Sequence, residues 1–366
     1  MRCWLVLLLS RAFETAWAPS PSRPPLPADR IGVLRYDARV SEQIILEPID
    51  GIEIQTLVDN QWDMLLRSEG RVQRPAIAPG GPTVVAPLFV DPHLPDYLIA
   101  EHGFSALVSV TKGGRKHRVM FDAGLSVGGL SHNLHALQIS VSDIEAIVMS
   151  HGHFDHVGGL NGLIAEGGVS RLPMLLHPDF WLKRRLAIPG QEPFELPAAS
   201  RSAMAGAGFE LIEGRAPSLL MNGSVLITGE VDRTTEFEKG FPLHQARRGG
   251  EWTPDPLIMD DQALIANVRD KGLVVLTGCG HAGIVNIVRH AQKLTGETRV
   301  AAVAGGFHLS GPVFAPIIPA TIEALKAIAP SMIVPGHCTG FEAVRAISLA
   351  MPEAFVVNSV GTRFLI

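Results

Sequence analysis

The chain has 366 residues, a net charge of -5, 46% hydrophobic residues and 18% charged residues. That composition suits one large domain or two small ones and excludes a disordered polymer. It also lacks the Lys/Arg block that a sequence-independent nucleic-acid surface requires, so a nucleic-acid partner is not expected.

At the N-terminus, Arg2 precedes a short apolar run from Cys3 to Leu9, and Ala16-Trp17-Ala18 resembles a cleavage site. The run is too short to span a bilayer, and Arg11 and Glu14 break the apolar character soon after it. No later stretch is long and apolar enough either, so no membrane span is expected and the location reads as cytoplasmic. Export is the alternative if residues 1–18 are a signal peptide. The prolines between 19 and 30 read as a linker. Residues 1–45 are therefore expected to be a disordered extension, and 46–366 the folded domain.

Within that domain, Ile52 to Val58 alternates apolar and polar residues, as a strand does. Residues 70–95 are rich in Pro and Gly and read as a loop. Ala106–Val110 and His117–Phe121 form a strand pair around Lys112-Gly113-Gly114, and Asp122-Ala123-Gly124 ends it. Ile144–Met149 is an apolar strand, followed by a helix from Gly158 to Ala165 and a short strand at Met174–Leu176. Residues 180–250 are mixed and predict a long insertion able to cover a site. Strands then come at Leu273–Leu276, Val300–Val303 and Ile333–Val334, with helical spacing from Ile284 to Leu294 and at Ile322, Leu325 and Ile328. The recurring order of strand, glycine, polar residue and helix predicts α/β layering with the chemistry at strand ends.

The densest chemistry is Ser150-His151-Gly152-His153-Phe154-Asp155-His156-Val157-Gly158-Gly159. Three imidazoles and a carboxylate on one short loop suit a transition-metal ion, and neighbouring residues on a turn can face two ions. His281, His308 and His337 each come after an apolar strand, beside glycine. One such histidine is usually structural; three at successive strand ends point to shared ligation, with His281 and His337 favoured. His308 is the candidate for substrate contact or proton transfer, with Asp155. The three cysteines, Cys3, Cys279 and Cys338, cannot form a disulfide framework. Cys279 and Cys338 sit beside histidines; Cys279 is a ligand if it points inward as thiolate, and otherwise a small buried residue. Asp122 is a candidate to orient a ligating histidine, against a plain turn aspartate. Asn60 and Arg233 are candidates to line a pocket, although isolated polar residues are more often on the surface.

Together these residues resemble the metallo-β-lactamase superfamily through His151-x-His153-x-Asp155-His156. Further motifs narrow the likeness: Asp59-Asn60, Glu101-His-Gly-Phe-Ser105, Phe121-Asp-Ala-Gly124, Thr277-Gly-Cys-Gly-His-Ala-Gly-Ile-Val-Asn286, Gly305-Gly-Phe-His-Leu309 and Gly336-His-Cys-Thr-Gly340. In this order they resemble the branch named for 7,8-dihydropterin-6-methyl-4-(β-D-ribofuranosyl)aminobenzene-5′-phosphate synthase, from about residue 50 to the C-terminus. The resemblance implies an αββα four-layer sandwich with two divalent metal ions, zinc first and manganese or iron as alternatives. It implies His151, His153 and His281 on one ion, and Asp155, His156 and His337 on the other. It also implies a bridging aspartate in a Gly-Asp pair after a later strand, whereas this chain reads Gly278-Cys279 and then Gly306-Phe-His308 there, which leaves the bridging residue open.

Two activities fit a small-molecule substrate: hydrolysis of an ester, lactone or phosphoester, and condensation at a pterin diphosphate. The 180–250 segment would then exclude water, with Arg233, Arg247 and Arg248 near phosphate, or serving only solubility. A flavodiiron-type oxidoreductase is disfavoured by His153, where glutamate is usual, and a nuclease by the negative charge. A metal-binding protein without turnover is the alternative from another class. The residues set no oligomeric state, with a homodimer one option.

Overall fold

The computed structural model describes residues 32–35, 43–75, 81–167 and 169–366. The apolar run from Cys3, the Ala16–Ala18 segment and the proline-rich stretch lie outside these residues.

Two large sheets dominate. One has 7 strands, in the order Leu34–Arg35, Ser218–Leu220, Val225–Ile227, Leu264–Val268, Gly272–Thr277, Val300–Gly306 and Ile333–Gly336. The other has 8 strands, in the order Phe209–Glu213, Leu172–Leu176, Ala146–Val148, Arg115–Phe121, Ser105–Lys112, Gly51–Val58, Arg363–Leu365 and Val72–Gln73. Their facing sides share one apolar core, with Ile54, Val108, Phe121 and Val148 from the second sheet and Leu264, Val274, Leu276 and Val334 from the first.

Helices cover the outer faces. Gly129–Ala136 (α1), Leu160–Ala165 (α2) and Arg201–Gly206 (α3) lie on the 8-stranded sheet, where Leu130, Leu163 and Met204 pack against Met120 and Met174. Ile284–Thr295 (α4), Ile318–Ile328 (α5) and Phe341–Ala350 (α6) lie on the other, where Ile287, Leu325 and Ile347 pack against Val275 and Val303. This is the expected αββα order. The strands Gly272–Thr277 and Val300–Gly306 are buried throughout because a sheet covers one face and helices the other, which is why they read as continuous apolar runs. The alternation in Gly51–Val58 marks a strand nearer the sheet margin. The helix α4 ends at Gly296, whose φ of 74° gives the left-handed cap that glycine favours.

The structure corrects two boundaries. Residues 180–250 are not one insertion: Phe209–Glu213 runs parallel to Leu172–Leu176 in the 8-stranded sheet, and Ser218–Leu220 and Val225–Ile227 belong to the other. What stands apart is a 4-stranded sheet of Phe194–Glu195, Arg184–Leu186, His244–Arg248 and Glu251–Pro254. The true sheet strands were hidden because Pro, Gly and charged residues flank them closely. The folded part also begins before residue 46: Leu34–Arg35 pairs with Ser218–Leu219, and Ile44 is buried under α4. Among the described residues no helix is long and apolar enough to cross a membrane.

The parallel strands Gly272–Thr277, Val300–Gly306 and Ile333–Gly336 point the same way, as do Arg115–Phe121 and Ala146–Val148. Each leads directly into one of the chemistry-bearing segments, so the topology gathers distant parts of the sequence at one edge of the sandwich.

Candidate metal centre

The loop after Ala146–Val148 carries His151 and His153, then makes a single 3-10 turn over Phe154–His156 that presents Asp155 and His156. The loop is locked from below. Asp122 accepts from the Ser150 backbone N–H at 2.7 Å, from Ser150 Oγ at 2.6 Å and from His156 Nδ1 at 2.7 Å. That last bond places the His156 proton on Nδ1 and leaves Nε2 with its lone pair toward the site. Gly278 allows the opposite sheet to close on this lock. A Cβ there would lie 2.1 Å from Ser150 Oγ and 2.6 Å from Asp122 Oδ2.

Two groups of donors converge. In the first, His151 Nε2 lies 3.0 Å from His153 Nδ1, while His281 Nε2 lies 3.2 Å and 3.1 Å from the same two atoms. Three imidazole nitrogens meeting at one point cannot all be satisfied by shared protons, because a neutral ring has one donor and one acceptor. A cation between them resolves the conflict. In the second group, Asp155 Oδ2 lies 3.4 Å from His337 Nε2 and 3.8 Å from His156 Nε2. Cys279 Sγ lies 3.2 Å from both of those nitrogens. Asp155, His156, Cys279 and His337 each offer one donor within 4.8 Å of the others, and His151, Cys279 and His281 do the same. Each of the two groups therefore has the donors to hold a metal ion.

The electrostatics agree with that fit. Burial, reinforced by neighbouring imidazoles and, for His153, first by the Arg184 charge, drives the pKa values of His151, His153 and His281 well below the usual histidine range, so all three rings are neutral and ready to donate lone pairs. Burial opposes ionisation of Asp155, but His156 and His337 beside it hold its pKa well below the usual carboxylate range. Burial and then the neighbouring Cys338 thiol raise the pKa of Cys279 when no cation is bound. Asp122, His308 and His337 adopt φ of 57°, 47° and 48°, a region that side chains with a Cβ rarely enter. Such backbone strain concentrates where side chains are aimed at a site.

The profile of the metallo-β-lactamase superfamily matches residues 100–285. The 7,8-dihydropterin-6-methyl-4-(β-D-ribofuranosyl)-aminobenzene-5′-phosphate synthase of Methanocaldococcus jannaschii is 32% identical over 264 residues, covering 70% of this chain and 87% of the synthase. The chain belongs to the metallo-β-lactamase superfamily. A second M. jannaschii protein, MJ0448, is 31% identical over 72% of this chain and 92% of its own length. Among solved structures, Tm1679, a metal-dependent hydrolase of the β-lactamase superfamily, superposes with a TM-score of 0.61 at 23% identity, covering 85% of this chain and 98% of its own. The chain is thus a metal-dependent enzyme of the metallo-β-lactamase fold.

The remaining expected residues divide. Asn60 Nδ2 donates to the His337 carbonyl at 2.9 Å, and the neighbouring Asp59 accepts from the His337 N–H at 2.9 Å, so this pair holds the loop of a candidate ligand. His308 stands outside both donor groups, its ring 4.2 Å from that of His281 and 4.6 Å from Phe314. Burial lowers its pKa to about 3, so it is a neutral ring beside the centre. Arg233 is not brought to the donors: it hydrogen-bonds the Leu257 carbonyl at 2.6 Å, and its charge acts with those of Asp261 and Glu238. Arg248 is engaged by Asp255 at 2.8 Å, and Arg247 by the Gly250 carbonyl at 3.0 Å.

Two features had no signal in the sequence. His244, on the separate 4-stranded sheet, places its buried ring 5.1 Å from His153 and 5.6 Å from His281. It comes after Pro242-Leu243 with neither an apolar strand nor a glycine to flag it. Arg184, one strand away, is fully buried. It reaches Asp255 through Nε at 2.9 Å and grips Asp260 with both terminal nitrogens, at 3.1 Å and 2.5 Å. Asp260 in turn accepts from the Gly152 N–H at 2.8 Å, between the first two candidate ligands.

Proposed function

We propose that this enzyme works through two divalent ions, zinc first, on a phosphorylated small molecule, which it joins to a second substrate; the likeness to the M. jannaschii synthase supports a synthase. The observation that carries this is the pair of donor groups meeting at one sheet edge, one of three imidazoles and one of Asp155, His156 and His337, in a chain with such a relative. Bound there, the ions would stabilise negative charge developing on phosphate oxygens or activate water.

The chain's own residues do the rest. His151, His153 and His281 stay neutral and fixed. Asp122 holds the His156 proton on Nδ1, and Asp59 and Asn60 hold the backbone at His337. Asp155 keeps its charge at all ordinary pH. His308, a neutral ring just beside the donors, contacts the substrate there. The sheet bearing His244 lies beside His153 and His281, where it could help to keep water out, which a condensation requires and a hydrolysis does not. Hydrolysis of a phosphoester or lactone by the same centre is the competing reading.

Elemental analysis of protein purified without added metal, for wild type and His281→Ala, tests the centre. About two ions per chain, falling to one or fewer in the variant, is the expected result. Wild type that neither carries nor takes up metal refutes the proposal. Metal-loaded protein then receives a pterin diphosphate with and without the ribofuranosylaminobenzene phosphate. Consumption only in the presence of both supports condensation; equal consumption of the first alone assigns hydrolysis.

A further inference from the structure

The two donor groups have one member in common. We propose that Cys279 supplies a thiolate bound to both ions at once, in place of the bridging carboxylate. This rests on the two-metal reading above.

Bonds of about 2.0–2.3 Å put the donors around a tetrahedral ion about 3.3–3.8 Å apart. Cys279 Sγ lies 3.2 Å from His156 Nε2 and 3.2 Å from His337 Nε2, close to that spacing. The same sulfur is within 4.8 Å of the donors of His151 and His281. No other side chain among the described residues belongs to both groups. The position is also firmly held. Cys279 comes just after the buried strand Gly272–Thr277, is 3% exposed, and its carbonyl accepts from Cys338 Sγ at 3.2 Å. Cys338 itself points at that carbonyl and belongs to neither donor group.

Charge balance favours the same assignment. With the ions bound, five neutral imidazoles and the Asp155 carboxylate bring a single negative charge against two divalent cations. A thiolate at Cys279 adds a second and leaves a net positive centre for an anionic substrate. A metal-bound thiol gives up its proton outright, so burial is no obstacle once the ions are present. A sulfur donor on both ions selects zinc and cadmium over manganese or magnesium, which prefer oxygen.

The test is cadmium NMR of the cadmium-loaded full chain, for wild type, Cys279→Asp and Cys338→Ser. Expected are two wild-type resonances, both shifted to the deshielded side of the two from Cys279→Asp, with Cys338→Ser matching wild type. One shifted resonance makes Cys279 a terminal ligand and overturns the bridge. Two bound ions with no shift remove Cys279 from the centre altogether. Either result leaves the two-metal reading intact, whereas failure of wild type to take up cadmium or zinc overturns both. If Cys279→Asp does not fold, zinc-edge X-ray absorption of the Cys338→Ser protein decides. A sulfur at about 2.3 Å from every zinc supports the bridge, and a sulfur on only half of them refutes it.

Discussion

Replacing Asp122 by asparagine isolates the tautomer lock from the bulk of the side chain. The carboxylate accepts three hydrogen bonds, one at Oδ1 from the Ser150 N–H and two at Oδ2 from Ser150 Oγ and His156 Nδ1. Asparagine has one oxygen and one NH2. With its oxygen toward the backbone N–H, the NH2 faces His156 Nδ1. That ring must then move its proton to Nε2, the atom aimed at Cys279 and Asp155. With the amide reversed, the buried Ser150 N–H loses its acceptor. The first orientation deprives a metal-ligand histidine of its acceptor, a change worth about 10–100-fold in metal affinity, and the second costs about 1–3 kcal/mol for the unsatisfied buried N–H. Competition with a chromophoric chelator would measure this. The ion held by His156 should weaken by that factor while the one held by His151, His153 and His281 changes little. Equal weakening of both ions, or of neither, would refute the lock as the cause.

Arg184→Met strands Asp260 in the interior without its cation and leaves Asp255 only Arg248, which should cost about 3–5 kcal/mol in urea denaturation; a loss under about 1 kcal/mol would show Asp260 to be solvated. Gly158→Ala should destabilise by at least about 1–3 kcal/mol, since its Cβ would fall 1.6 Å from the Leu125 carbonyl oxygen, whereas Gly128→Ala meets nothing within 4 Å and should be nearly neutral. Burial and then the Arg184 charge lower His244 from 6.5 to about 4 in the folded protein. A depressed histidine pKa means the unfolded chain takes up the proton first. Stability is full above about pH 6.5 and falls as pH drops toward 4, by roughly 3 kcal/mol at most. Metal-free His244→Gln should therefore show a flatter acid limb than wild type, and parallel limbs would count against it.

The sheet strands nearest the site were legible because they are short, buried on both faces and bounded by glycine. The stretches Leu273–Leu276 and Val300–Val303 needed only their apolar runs. The histidines beside them were legible because five imidazoles and an acid seldom gather at strand ends by chance. What stayed hidden depends on pairing across long separations. Leu264–Val268 gives no turn signal, and its strand character is set by antiparallel pairing with Gly272–Thr277, Leu264 opposite Leu276 and Val268 opposite Gly272. Phe209–Glu213 carries two glutamates and becomes a strand only through its parallel partner Leu172–Leu176. His244 reads as an ordinary loop histidine until the small sheet turns it inward.

That small sheet also explains why the arginines expected to meet phosphate do not. A buried guanidinium needs carboxylates, and Arg184 takes Asp255 and Asp260, while Arg248 shares Asp255 and reaches toward Asp179 at 3.7 Å. These charges hold the sheet to the sandwich rather than binding a ligand. Asp260 reaches the Gly152 N–H through the same carboxylate that holds Arg184, so the position of the sheet and the shape of the His151–His153 turn are set together. With Arg248 paired to Asp255 and one Arg233 nitrogen given to the Leu257 carbonyl, attraction for an anionic substrate is expected to come mainly from the metal centre and its net positive charge. Phosphate recognition and catalysis would then share one set of residues, and loss of the ions should abolish substrate binding as well as turnover.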